Sequence, residues 1–383
     1  MPEYGRVQLL SSLDERRGVT IEMPSPFLER ALRTPSYGWL RDGELYVPTT
    51  REIMREWAGR LNLFSSRKVW LSVTVWTFTL LLLPFGAVFL REYFSWKLML
   101  AGFLYSMVWL GTHGTVYLHR FGTHRAFSFR NRYYRFVCQN LALKIVPEEV
   151  YIVSHHVHHA YSDLPGDPYN ARAGWLYCFL AGDLHQPINP ELSKPDYAHV
   201  ASLLKHTGLR PNSYEQYQAW GSVTHPARLW THYLLNWAFW YGAFYLLGGH
   251  ALATALFGWA AVWAIGIRAH NYDLHAGGKD RKKDGLDFDR DSLAVNRLWP
   301  GLVAGEWHNN HHLFPTSVQA GFLPWQLDSA FTFIRLYRLI GGVSSWRNFK
   351  DKFYERHYHP HREAELAARR NNGGGVAAGS DAQ

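Results

Sequence analysis

Cysteine is nearly absent: Cys138 and Cys178 are the only two in 383 residues. Two thiols exclude a four-cysteine zinc site, an iron–sulfur cluster held by four thiolates, and a disulfide framework. Charge is missing in places. Val69–Leu90, Leu98–Leu118, Leu229–Gly248 and Ala251–Ile267 contain no Asp, Glu, Lys or Arg. The first 30 residues are charged and polar and hold no hydrophobic signal region. Mean hydropathy is only −0.23, so a large water-facing portion must accompany the apolar runs.

What the chain has in plenty is histidine, 21 in all, and tryptophan, 17. The densest stretch is Ser154-His155-His156-Val157-His158-His159. Read as a helix, it projects His155, His158 and His159 from one face, because residues three and four apart are neighbours there. The same spacing returns as His308-Asn309-Asn310-His311-His312, and a third cluster, His119-Arg120-Phe121-Gly122-Thr123-His124, lies upstream. Its i, i+5 spacing does not fall on one α-helical face. It is expected at a helix end, where Gly122 lets the chain turn and His124 folds back. Imidazole is a transition-metal donor, and eight of them exceed what one ion holds, so two metals are the simpler reading. His113 is expected to be a hydrogen-bonded interior histidine, and His357, His359 and His361 a solvated tail.

Each apolar run approaches the length needed to cross a hydrocarbon core about 30 Å thick. Short links join the first pair and the second pair, which predicts two antiparallel hairpins. A net charge of +9 with 16% aromatic residues suits an anionic membrane surface, with Trp and Tyr at its interfaces, better than a nucleic acid. Lys and Arg flank the runs unevenly. Arg67 and Lys68 precede the first. Arg120, Arg125, Arg130, Arg132 and Arg135 fill the central segment, and Arg268, Lys279, Arg281, Lys282 and Lys283 follow the fourth. The short loops carry only Arg91 and Lys97. Both termini, the central segment and every histidine cluster are therefore expected on the cytosolic side, with Cys138 and Cys178 as free thiols there.

The predicted architecture is an all-α integral membrane protein: four transmembrane helices in two hairpins, with a cytosolic helical cap carrying the histidines. Residues 1–66 form a cytosolic N-terminal extension in which Thr49 or Thr50 caps a short helix through Ala58. Residues 67–362 form the membrane domain, and 363–383 a disordered tail. Within the domain, Asn131–Val146 reads as an interfacial helix stopped by Pro147. Asp163-Leu-Pro-Gly-Asp-Pro reads as a turn, and Pro324–Leu339 as a helix with proline at its first position. Gly111, Gly114 and Gly258 are candidates for lining a cavity or for close helix packing.

Three stretches carry a resemblance to a known family: Val116-Tyr-Leu-His-Arg-Phe-Gly-Thr-His-Arg-Ala-Phe127, His155-His-Val-His-His-Ala-Tyr161 and Gly305-Glu-Trp-His-Asn-Asn-His-His-Leu-Phe-Pro315. Over roughly residues 65–340 the chain resembles the membrane-bound fatty acyl desaturases of the stearoyl (delta-9) type. The resemblance implies two Fe(II) ions held by histidines, O2 as oxidant, and two electrons from an external donor such as cytochrome b5, ferredoxin or rubredoxin. Zinc is expected to replace iron in overproduced protein. The implied ligands are His119, His124, His155, His158, His159, His308, His311 and His312. A ninth, just past the fourth span, matches His270, with His275 in reserve. The family's acyl-CoA branch has an asparagine four residues before that histidine, where this chain has Gly266. Glu306 sits one residue closer to the third box than in the commonest pattern and is left out of the ligand set. Asp167-Pro168 resembles the family's turn after the second box. Val150–Ser154 lacks the charges that help hold coenzyme A, so acyl-CoA, acyl-lipid and acyl-carrier substrates all stand. No His-Pro-Gly-Gly motif of a haem-binding electron carrier occurs.

The implied reaction is O2-dependent insertion of a cis double bond into a long saturated acyl chain. A hydroxylase or a terminal-alkene-forming decarboxylase on the same centre is the alternative. A non-enzymatic metal-binding membrane protein is disfavoured by the position of the clusters after apolar, Trp-rich spans.

Overall fold

Uncharged sequence gives the longest helices. The computed structural model describes residues 26–275 and 307–373. The expectations on Lys279, Arg281, Lys282, Lys283 and Glu306, on residues 1–25 and on residues 374–383 lie outside the described residues. The first apolar run is the helix Trp70–Glu92, which passes through Pro84 without ending. A 3-10 turn, Arg67–Val69, leads into it, capped by the Ser66 hydroxyl. The second run begins at Trp96, where Ser95 accepts a hydrogen bond from the Leu98 amide at 3.2 Å. It continues as one rod of alternating α- and π-helical turns, Trp96–Phe103, Leu104–Leu110, Gly111–His113 and Gly114–Thr123. The third and fourth runs lie in the 41-residue stretch Pro226–Gly266, broken where Gly248 and Gly249 leave helical geometry. Gly249 has φ +66°, a conformation that favours glycine, and the chain doubles back there.

Two of these segments, Arg67–Glu92 and Pro226–Leu274, are long and apolar enough to cross a membrane. The second contains both the third and fourth expected runs, whereas the second run belongs to the mixed α/π rod. Strands among the described residues are limited to two short antiparallel pairs: Leu40–Arg41 with Glu44–Leu45, and Phe127–Phe129 with Val343–Trp346.

The first helix packs along the broken pair. Phe78 stacks on Tyr233 with ring centroids 4.6 Å apart, and Trp230 and Trp237 close around it. Closest approach is at Gly86 and Gly258, where a Cβ on Gly258 would lie 2.5 Å from the Gly86 Cα. Of the three glycine candidates, Gly258 is thus a packing residue, while Gly111 and Gly114 line a cavity. Leu80, Leu81, Leu83, Val88 and Leu90 on one helix, and Leu234, Leu235, Phe239, Leu246 and Leu247 on the other, face outward and exposed.

Thr49, one of the two expected caps, opens the helix Thr50–Arg60 in a full capping box with Glu52, and the helix runs two residues past Ala58. Pro147 precedes the helix Glu148–Tyr161, whose buried Glu149 carboxylate accepts the Val223 and Thr224 amides, both at 2.8 Å. That bond ties the second box to the lead-in of Pro226.

Several local expectations are corrected. The interfacial helix covers Arg132–Gln139 and stops well short of Val146. Beyond it the backbone finds other partners: the Leu143 amide donates to Tyr105, the Lys144 amide to Asn236, and Trp237 and Trp240 donate to the Lys144 and Asn140 carbonyls. The downstream helix is Ser329–Leu339, opened by Asp328 as cap and not by Pro324. The segment expected to be a disordered tail is helical to Gly373, supported by Arg362–Glu365 and Glu365–Arg369 pairs at helical spacing. His357 packs on the rings of Phe314 and Phe353. His113 stacks on Tyr117, and its buried Nδ1 has no hydrogen-bond partner.

A valine at Gly258 should lower the thermal midpoint of the detergent-solubilised protein, by overpacking worth about 1–3 kcal/mol. An alanine at Gly86, whose Cβ would meet Gly258 at an ordinary 3.4 Å, should cost clearly less. Differential scanning fluorimetry distinguishes the two, and equal midpoints would show that the contact is not tight.

Candidate metal centre

Two groups of histidine nitrogens converge where the rod Gly114–Thr123, the helix Glu148–Tyr161 and the short helix His308–Leu313 meet. His119, His124, His155, His159 and His311 form one group. His158, His275, His308 and His312 form the other, and within each the ligand atoms lie within 4.8 Å of one another. The structure thus brings together eight of the nine histidines implied by the sequence.

His270 is the exception. It opens the short helix His270–Leu274, lines the neighbouring cavity, and joins neither group. His275, the reserve candidate, lies in the second group. The apolar run ends at Ile267, but helical structure continues through a 3-10 turn to Leu274. Five further residues at 100° each turn the side chain by about 140°, which carries His275 to the histidines. The residue four before His275 is Asn271, which also lines the cavity. Gly266 faces open space.

The helical periods explain the sorting. His155 and His159, four apart, go to one group, and His158 between them goes to the other. His308 and His312 pair likewise, with His311 crossing over. The i, i+5 spacing of the first box is solved differently from the expected chain turn. The segment is π-helical, the His124 amide donates to the His119 carbonyl at 3.0 Å, and the two rings lie 4.8 Å apart. Gly122 does not turn the chain. It lets the box-two helix approach, since a Cβ there would meet Ile152 at 2.7 Å.

The nitrogens are spaced as metal ligands. Nε2 to Nε2 distances are 3.0 Å for His119–His311, 3.1 Å for His159–His311, 2.9 Å for His275–His308 and 2.9 Å for His308–His312. A metal about 2.1 Å from each nitrogen places neighbouring ligands about 3 Å apart. The buried Nε2 atoms of His124 and His158 have no protein partner, as open ligand positions would. The outer nitrogens are held: His158 Nδ1 lies 2.8 Å from Asp167, and His275 Nδ1 lies 2.9 Å from Asp163. A carboxylate that fixes Nδ1–H turns the Nε2 lone pair inward. Both carboxylates come from the turn after the second box. Asp167 is fully buried and also accepts the Asp163 and Tyr169 amides. This turn was legible by composition, but its pairing with His275 was not.

Burial, and then the neighbouring imidazoles, hold His124, His155, His159 and His311 well below the usual histidine range. His158 is also lowered by burial, although Asp167 opposes it. Neutral imidazole is the form that binds metal.

An apolar cavity runs up to the histidines. Val75, Gly111, Gly114, Leu118 and Ala264 line its length, and His119, His155 and His308 lie along its metal side. The half-buried Arg268 borders it, ion-paired with Asp183 at 2.8 Å and lying over the Trp76 ring. Asn271, Arg268 and Asp183 are functional-site neighbours that the histidine pattern does not reveal. The only sequence signal for Asn271 is its distance of four from His275.

Burial also holds the non-ligand His156 and His206 at about 4 and His185 at about 3. An unfolded histidine titrates near 6.5, so below that pH the unfolded chain takes up protons that the folded chain refuses, and stability falls. Glu149, raised by burial to about 7, has the opposite sign. It adds stability as pH falls from about 7 toward its unfolded value of 4.5. One carboxyl against several imidazoles leaves a net loss. The metal-free protein should therefore show a thermal midpoint that drops steadily below about pH 6.5. A flat profile down to pH 5 would contradict this.

The chain's likenesses to known proteins agree with this geometry. It is 25% identical over 268 residues to the sn-1 stearoyl-lipid 9-desaturase of Anabaena variabilis, covering 68% of this chain and 88% of that protein. Delta-9 acyl-lipid desaturase 2 of Arabidopsis thaliana is 28% identical over 65% of this chain and 74% of its own length. An acyl-CoA C20 Delta5-desaturase of Anemone leveillei is 26% identical, over 66% of this chain and 75% of that protein. Residues 94–335 match the family model described as fatty acid desaturase. The stretch contains all three histidine boxes, and the chain belongs to the fatty acid desaturase family, an oxidoreductase acting on fatty acyl chains.

Proposed function

We propose that the two histidine groups hold two iron ions and that the enzyme inserts a cis double bond, of delta-9 type, into a long saturated acyl chain. O2 is the oxidant, and cytochrome b5, ferredoxin or rubredoxin is the class of electron donor. The acyl group is carried on a lipid, coenzyme A or a carrier. The observation that carries this reading is that nine imidazoles gather in two groups and that three of them, His119, His155 and His308, line an apolar cavity. When bound, the metal pair would supply O2 activation strong enough to remove hydrogen from an unactivated methylene.

The protein's own residues do the rest. His119, His124, His155, His159 and His311 would hold one ion, and His158, His275, His308 and His312 the other. Asp163 and Asp167 keep the Nδ1 protons of His275 and His158 in place. Val75, Leu118 and Ala264 accept methylenes and exclude water. A methylene chain offers no hydrogen bonds, so the shape of this cavity must choose the carbons that react.

The same reading has four spans, with both termini and the histidine groups at the cytosolic face. The outward leucines of Trp70–Glu92 and Pro226–Gly248 suit lipid contact, and the break at Gly248–Gly249 suits a tight hairpin on the far side.

The test is gas chromatography of acyl chains after addition of saturated substrate, O2 and a reductase system. Monounsaturated product of unchanged chain length is expected. A terminal alkene one carbon shorter, or a hydroxy acid, would overturn the reading in favour of a decarboxylase or hydroxylase.

A second test separates the two histidines past the fourth run. His275→Ala should lose metal from one group and cut turnover at least about tenfold, whereas His270→Ala should keep both metals. Metal analysis of the purified variants decides it, and the reverse pattern would restore His270 as a ligand.

A further inference from the structure

One side chain stands between the acyl cavity and a neighbouring space. Trp263, on the fourth apolar run, is 7% exposed. It borders the acyl cavity and also a second, smaller cavity behind it. Gly114, Leu118, Ile145 and Val146 are shared by both, so the two spaces adjoin around the indole. A Cβ on Gly114 would lie 3.7 Å from the edge of the ring. The indole therefore packs at ordinary van der Waals distance from the second run.

The two spaces differ in chemistry. The surface of the acyl cavity is mostly apolar. Tyr117, Gln139, Lys144 and Glu148 border the rear one. Glu148 lies 3.4 Å from the Lys144 ammonium and accepts hydrogen bonds from Gln139 and Tyr117. Both charged side chains are largely buried, 11% and 15% exposed. Methylenes pushed against this pair would remove its hydration and return no hydrogen bond. The indole N–H, moreover, is buried and has no acceptor among the protein atoms. A donor in that position needs an oxygen, which a methylene chain does not supply.

We propose that Trp263 ends the acyl chamber and so sets the length of chain that the enzyme accepts, while the space behind it holds water beside the Lys144–Glu148 pair. The inference rests on the reading of the front cavity as the acyl site. It does not depend on turnover, because a length limit is a property of binding.

The test uses the full chain in detergent and saturated fatty acids of fourteen to twenty carbons, with binding followed by native mass spectrometry. Wild type should show a length above which binding falls. Trp263→Ala joins the two cavities and should raise that limit by about two carbons or more. Trp263→Phe keeps most of the wall and should leave the limit unchanged. If the alanine variant does not fold, Trp263→Leu gives the same reading with a smaller step. A limit that stays put in a folded Trp263→Ala or Trp263→Leu protein overturns the proposal and shows that the indole only packs. The same samples, given O2 and a reductase system, separate the two claims. A shifted binding limit without unsaturated product leaves this inference standing and removes the proposed reaction. Unsaturated product with an unshifted limit does the reverse. Preferred binding of hydroxylated over plain chains by wild type would also overturn it, since the rear space would then take substrate and not water.

Discussion

Everything at the centre depends on keeping a crowd of imidazoles neutral and pointing the same way. A buried positive charge in such a crowd would be repelled by every neighbour that also protonated, and burial alone already disfavours it. Neutrality leaves a second problem, because each ring has two nitrogens and only one can face inward. Asp163 and Asp167 solve it for two rings by accepting from Nδ1. The turn that carries them is itself fixed by Asp167, which accepts two backbone amides of that same turn. Local backbone geometry thereby orients both the neighbouring His158 and His275, which arrives from far along the chain.

The helices around this centre are arranged by the same demand. Glycine at position 122 lets the second box approach the first, and glycines at 86 and 258 bring the first and fourth apolar runs together. Glu149 anchors the start of the box-two helix to the segment that leads into Pro226. Close glycine contacts thus set the helix approach, and the Glu149 bonds fix the start of the box-two helix.

Much of this was legible in the sequence, and the failures have physical causes. The helical spacing of His155, His158 and His159, and of His308, His311 and His312, correctly implied shared faces, because α-helical period is a local property. The first box does lie at a helix end, with His124 as the C-cap, but its period is that of a π-helix, and Gly122 serves packing and not a turn. His275 joins the second group although it lies eight residues past Ile267, because helical hydrogen bonding continues beyond the last apolar residue. The stretch after Gln139 looked helical by composition, yet Tyr105, Asn236, Trp237 and Trp240 compete for its backbone. Those partners lie far away in sequence. The cavity, Arg268 and Trp263 were invisible for the same reason: their meaning comes from what packs against them.

The crossing of ligands between the two groups has a mechanical consequence. Glu148–Tyr161 sends His155 and His159 to one group and His158 to the other, and His308–Leu313 divides its histidines in the same way. Neighbouring positions on a helix are separated by a fixed rise of about 1.5 Å per residue. The gap between the two groups is therefore ruled by two stiff rods and not by adjustable loops. A displacement of either rod moves both groups together, so they behave as one part with a built-in spacing, and neither can be reshaped alone.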